Sequence, residues 1–101
     1  MERRRDLRLK PKDASDVIRL MGAEPAEEIG TRLAGIADDP MAGATVREGV
    51  WLLGEQFGRR RAPGVDLAVQ ALATAMPEET IRAVATGYTQ ALVSAYEQAF
   101  A

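Results

Sequence analysis

Residues 77–99 read PEETIRAVATGYTQALVSAYEQA. Ile81, Ala85, Tyr88, Leu92, Ala95 and Ala99 recur at alternating steps of four and three, which is one stripe of an α-helix. A strand would need apolar residues at every second position instead. Pro77 has the φ that a first helical turn requires, and Glu78 with Glu79 complements the positive end of the helix dipole. The stretch predicts a helix from residue 78 to about residue 99. A second stripe, Thr89, Val93, Tyr96 and Phe100, appears only in its latter half. Two arrangements account for that second face. Val93, Tyr96 and Phe100 form an interface between copies of the chain, or this helix is the central one and the others wrap it.

The same proline-plus-acid signature recurs upstream. Pro25 with Glu27 and Glu28 predicts a helix over residues 25–37, with Ile29, Leu33 and Ile36 on one face. Asp39-Pro40 predicts a cap and a first helical position. Val46, Val50, Leu53 and Phe57 follow as a core stripe in a helix that ends near Arg59-Arg60-Arg61. Ala62-Pro63-Gly64 reads as a turn. Residues 65–75 then carry Val65, Val69, Leu72 and, just beyond, Met76 at the same spacing. Before all of these, residues 13–21 predict a short helix capped by Asp13 or Ser15, with Val17, Ile18, Leu20 and Met21 as its apolar face and Gly22 at its end. The fold class is therefore all-α: a compact bundle of about five helices. A basic extended N-terminal arm (residues 1–12) precedes a single helical domain (residues 13–101).

Composition agrees and excludes much. Apolar content of 47% and charged content of 28% suit a soluble globular domain, so cytoplasm is the expected location. No apolar run is long enough for a membrane span, and no membrane partner is expected. Eleven Arg against two Lys, with eighteen Ala, suit a GC-rich coding sequence of bacterial or phage type. The chain has no Cys and no His. Disulfides, thiolate chemistry, His-based triads and the usual transition-metal sites are excluded, and no phosphate-binding glycine loop occurs. The acidic pairs Glu27-Glu28, Asp38-Asp39 and Glu78-Glu79 fall at predicted helix ends, where capping explains them. No enzyme activity, metal or cofactor is expected.

Charge distribution is the sharpest functional signal. Arg3, Arg4, Arg5, Arg8, Lys10 and Lys12 against Glu2 and Asp6 give residues 1–12 a charge of +4. The chain total of −2 then leaves −6 on residues 13–101. Such segregation points to contact between the arm and something anionic. Arg59, Arg60 and Arg61 form a second basic island, which a helix C-terminus also explains through its dipole. The glycines Gly49, Gly54 and Gly58 of helix 3, like Gly30 and Gly35 of helix 2, each cost roughly 0.8–1 kcal/mol inside a helix, so close helix crossings are expected there. Trp51, one residue off the core stripe, is expected to pack over Gly54 and Gly58 as core, with anchoring of a partner as the alternative.

Within residues 3–10, Leu7 and Leu9 alternate with Asp6, Arg8 and Lys10, the period of a half-buried strand. L-R-L-K-P (Leu7 to Pro11), with Gly22 at an inter-helix turn, resembles the strand and first helix of ribbon–helix–helix DNA-binding dimers. That resemblance covers residues 3–37 and implies DNA contact through a β-ribbon. The chain departs from it at Ala23, in lacking a Ser or Thr cap on helix 2, and in placing Asp6 on the DNA-facing side. The leading expectation is a non-catalytic interaction or assembly module. It binds a protein or nucleoprotein partner with an anionic surface and forms a homo-oligomer. A DNA-binding regulator is the alternative. The residues expected to bind the partner are Arg3, Arg4, Arg5, Arg8, Lys10, Arg59, Arg60 and Arg61.

Overall fold

All five prolines stand at a helix entrance. The computed structural model describes residues 10–99. These form α1 (Pro11–Met21), α2 (Ala26–Ile36), α3 (Gly43–Phe57), α4 (Pro63–Leu72) and α5 (Glu78–Gln98), with no strand among the described residues. Pro11 and Pro63 are the first residues of α1 and α4, while Pro25 and Pro77 directly precede α2 and α5 in extended backbone. No side chain caps these four helices. The fixed φ of proline and the acids of the first turns take that role.

The entrance to α3 differs. The Asp39 carboxylate accepts hydrogen bonds from the backbone N–H of Met41 (2.7 Å) and Ala42 (2.9 Å). These two bonds, that of Ala42 first, hold its carboxyl below the ordinary value of 3.8. The cap acts on a turn at residues 40–42, and the regular helix begins at Gly43.

Two boundaries depart from the expected ones. Pro11 opens α1, so Asp13 lies in its first turn and Ser15 lies inside it. The Ser15 hydroxyl donates to the Lys12 carbonyl (2.8 Å) instead of capping. Proline tolerates the first helical position because its missing N–H would be unpaired there anyway. For the same reason α4 starts at Pro63, inside the expected turn, and it ends at Leu72.

α5 touches all four other helices; α2 lies along it, and α1 lies against α4. The apolar side chains divide into two clusters. The first joins Ala14, Ile18 and Met21 of α1 to Phe57, Ala62, Val65, Ala68, Leu72, Ile81 and Ala85. The second joins Ala34, Ala37, Val50 and Tyr96. Among the described residues of the two α5 stripes, Ile81, Ala85, Thr89, Leu92 and Tyr96 are buried, Tyr88, Val93 and Ala95 are half-buried, and Ala99 is exposed. Ile81, Ala85 and Thr89 are fully buried and Leu92 nearly so.

The α2–α5 contact is close because Gly30 faces it. A Cβ at Gly30 would stand 2.3 Å from the Leu92 carbonyl oxygen. The expected crossings at Gly49 and Gly54 are not there: a Cβ at either meets nothing within 4 Å. Gly58 ends α3 and approaches only the Gly54 backbone of its own helix.

Of the expected core, Val50, Phe57, Leu72 and Leu92 are buried. Val46, Leu53, Ile29, Leu33 and Val69 are half-buried at its edges. Leu20, 68% exposed, is not part of the covered face of α1. It lies about 200° around the helix from buried Ile18, at 100° per residue. Among the described residues no helix is long and apolar enough to cross a membrane.

Candidate functional site

Arg3, Arg4, Arg5 and Arg8 lie outside the described residues, as does Phe100. Lys10 is exposed directly before α1, and its carbonyl accepts the Ala14 N–H (3.0 Å).

The second basic island sits in the turn after α3, and the structure ties that turn down. Gln90 Nε2 donates to the Gly58 carbonyl (3.2 Å). Arg82, buried near the start of α5, donates through Nη1 to the Arg60 carbonyl and to Asp66 of α4 (2.9 Å). Its Nε donates to Glu78 (2.8 Å). The hydrogen bond to Asp66, then that to Glu78, raises the Arg82 guanidinium above its already high ordinary value. One planar guanidinium thus joins the α3–α4 turn, α4 and α5, which a lysine ammonium has no fork to do. Arg60 pairs with Glu79. Arg59 and Arg61 are exposed and carry no ion pair among the described residues. The island is therefore part scaffold and part free cation.

Tyr96 is a core residue at 9% exposure, and Val93 is half-buried beside it. Val93 also lines a groove that the sequence does not announce. The groove runs between α3 and α5 as two joined depressions. One is bounded by Arg47, Val50, Trp51, Gly54, Glu55, Val93, Tyr96 and Glu97. The other is bounded by Gly54, Gly58, Thr89, Gln90, Val93, Ser94 and Glu97. They share Gly54, Val93 and Glu97. Trp51 stands at its wall with 62% of its surface exposed, not packed over the glycines as expected. At the floor, Thr89 is fully buried and its hydroxyl has no hydrogen-bond partner among the described residues. Arg47 is anchored at the groove's end by donating to the Ala37 carbonyl. Glu55 and Glu97 form no ion pair among the described residues.

A second recess is apolar and lies where α1, α2, α3 and α5 meet, lined by Val17, Leu20, Met21, Ile29, Leu53 and Leu92 among others. The Tyr88 hydroxyl at its edge donates to the Glu24 carbonyl (2.7 Å). Burial, then the nearby charges of Glu24 and Glu27, push the Tyr88 phenol above its ordinary value. That hydroxyl is occupied, and Glu24 also borders the recess.

The signals for the α3–α5 groove were Gly54 and Trp51, whose reading depends on which helix lies opposite. Comparison with models of known protein families, with curated proteins and with solved structures finds no match.

Proposed function

We propose that this protein is a non-catalytic helical interaction module of bacterial or phage type. It self-associates and binds a protein or nucleoprotein partner with an anionic surface through its basic arm. The observation that carries this reading is the charge segregation: +4 on residues 1–12 against −6 on residues 13–101. The exposed, unpaired Arg59 and Arg61 add positive charge outside the arm. The described residues support a binding role in a second way. They offer open grooves lined by Trp51 and by aliphatic residues.

The test replaces Arg3, Arg4, Arg5 and Arg8 with Ser and measures two things at low salt: mass in solution and affinity for duplex DNA. Exposed charges contribute little to stability, so the melting midpoint should hold. A module of this kind loses assembly in the variant and regains it in neither low nor high salt. If the wild type instead binds DNA with an affinity that falls steeply with salt, by a slope of about 0.9 per phosphate contact, the protein is a DNA-binding regulator. A wild type that is monomeric and inert to DNA refutes the role of the arm.

A further inference from the structure

The α3–α5 groove has the chemistry of a receptor for a basic, partly aliphatic segment, and this chain carries such a segment. We propose that the groove binds the N-terminal arm, residues 2–10, of a second copy of the chain. The inference rests on the reading of the arm as a contact for an anionic surface, and it names that surface.

The groove's chemistry matches the arm's residue by residue class. Trp51 presents a largely exposed indole, the best aromatic face for a guanidinium. Glu55 and Glu97 border the same groove and are unpaired among the described residues. The one cation in the lining, Arg47, is anchored to the Ala37 carbonyl of its own chain. The floor is shallow and of small residues: Gly54, Gly58 and Ser94, with Val93 beside them. Gly54 is inside α3, yet among the described residues nothing beyond the adjoining backbone of its own helix comes within 4 Å of where its Cβ would be. Beneath that floor lies the buried hydroxyl of Thr89, which has no hydrogen-bond partner among the described residues.

The arm supplies the complement: Arg3, Arg4, Arg5 and Arg8 for the indole and carboxylates, and Leu7 and Leu9 for Val93 and the glycine floor. The net charge of +3 ahead of α1 opposes the −5 of residues 11–101, which carry the groove. A chain bearing both ligand and receptor associates with itself, and opposite charge steers the encounter.

The test uses the full chain and needs no external ligand. Trp51 is the only tryptophan, so its fluorescence reports the groove directly. With rising protein concentration the emission should move to shorter wavelength as a larger species appears in sedimentation. Two variants follow: one with Arg3, Arg4, Arg5 and Arg8 changed to Ser, the other with Glu55→Gln and Glu97→Gln. Each alone should remain helical and lose the larger species. Mixed, they should recover it, because the intact arm of one meets the intact groove of the other. A wild type that stays monomeric overturns the proposal, as does a mixture that stays monomeric. If the arm variant loses assembly while the groove variant keeps it, the groove is not the receptor, yet the arm's role in contact survives. If emission is independent of concentration while mass rises, assembly uses another face and this site falls.

Discussion

Glycine-to-alanine substitution should have opposite signs at two positions of this protein, and the reason can be worked from distances. Alanine is favoured over glycine in a helix interior by about 0.8–1 kcal/mol. At Gly49 a Cβ meets nothing within 4 Å, so Gly49→Ala should realise that gain. At Gly30 the same atom would lie 2.3 Å from the Leu92 carbonyl oxygen and 3.0 Å from both the Ala95 Cβ and the Tyr96 nitrogen. The first of these is about 1.1 Å short of ordinary contact, which begins at 3.4 Å. The obstacle is the backbone of α5, which has no rotamer to change, so the two helices must separate. Overpacking of this kind costs about 1–3 kcal/mol, and a rigid obstacle places it in the upper part of that range. After the helical gain is subtracted, Gly30→Ala should be less stable than wild type by about 1–2 kcal/mol. It should lie about 2–3 kcal/mol below Gly49→Ala, which for a domain of this size is roughly 10 °C or more in melting midpoint. Urea titration followed by circular dichroism measures both. A Gly30→Ala protein as stable as Gly49→Ala would refute the close α2–α5 crossing.

Three further outcomes follow from the packing and the charges. Phe57→Ala should cost about 3–5 kcal/mol in the same titration, because Phe57 is 2% exposed and fills the first cluster. A loss under about 1 kcal/mol would mean that the ring is not in the core. The Asp39 carboxyl is lowered in the folded state, so its contribution is fully present above its unfolded value near 3.8 and is lost as pH falls through the folded value. On acidification from about pH 5 to about pH 3, wild type should therefore lose more stability than Asp39→Asn, which keeps an acceptor but does not titrate; equal losses would rule out the cap. Arg82→Lys should lower the melting midpoint and open the α3–α4 turn to trypsin at Arg59, Arg60 and Arg61, because an ammonium cannot span Asp66, Glu78 and the Arg60 carbonyl together. Unchanged cleavage would show that the turn holds without the fork.

Helix number and order were legible because they are written in local chemistry. Pro25, Asp39 and Pro77 mark entrances by fixing φ or supplying a carboxylate, and neither depends on distant residues. The errors came where tertiary placement decides. Pro11 and Pro63 read as breaks because proline ends a helix as readily as it starts one, and only the following turn distinguishes the two. Val46, Leu53 and Val69 recur at core spacing but sit at the margin of thin helix contacts, where a stripe is only partly covered. Gly30 and Gly54 carry the same signal for a crossing, and the structure places one at Gly30 but not at Gly54. Periodicity gives the direction of a helix face and not what lies opposite it. Trp51 was misplaced for the same reason, and with it the groove, since a groove is a property of two helices at once.

α3 and α5 contribute to both apolar clusters, whereas α1 and α4 belong to the first and α2 to the second. Detaching α1 with α4 leaves α2 on α5, and releasing α2 leaves the first cluster whole. The molecule thus has two routes of sub-global opening, each requiring less free energy than complete unfolding. Amide hydrogen exchange should resolve them as separate cooperative units, with the middle of α5, from Ala85 to Leu92, exchanging last. A groove built on α3 and α5 is then built on the pair of helices that neither opening removes, and its shape persists while the rest of the chain fluctuates around it.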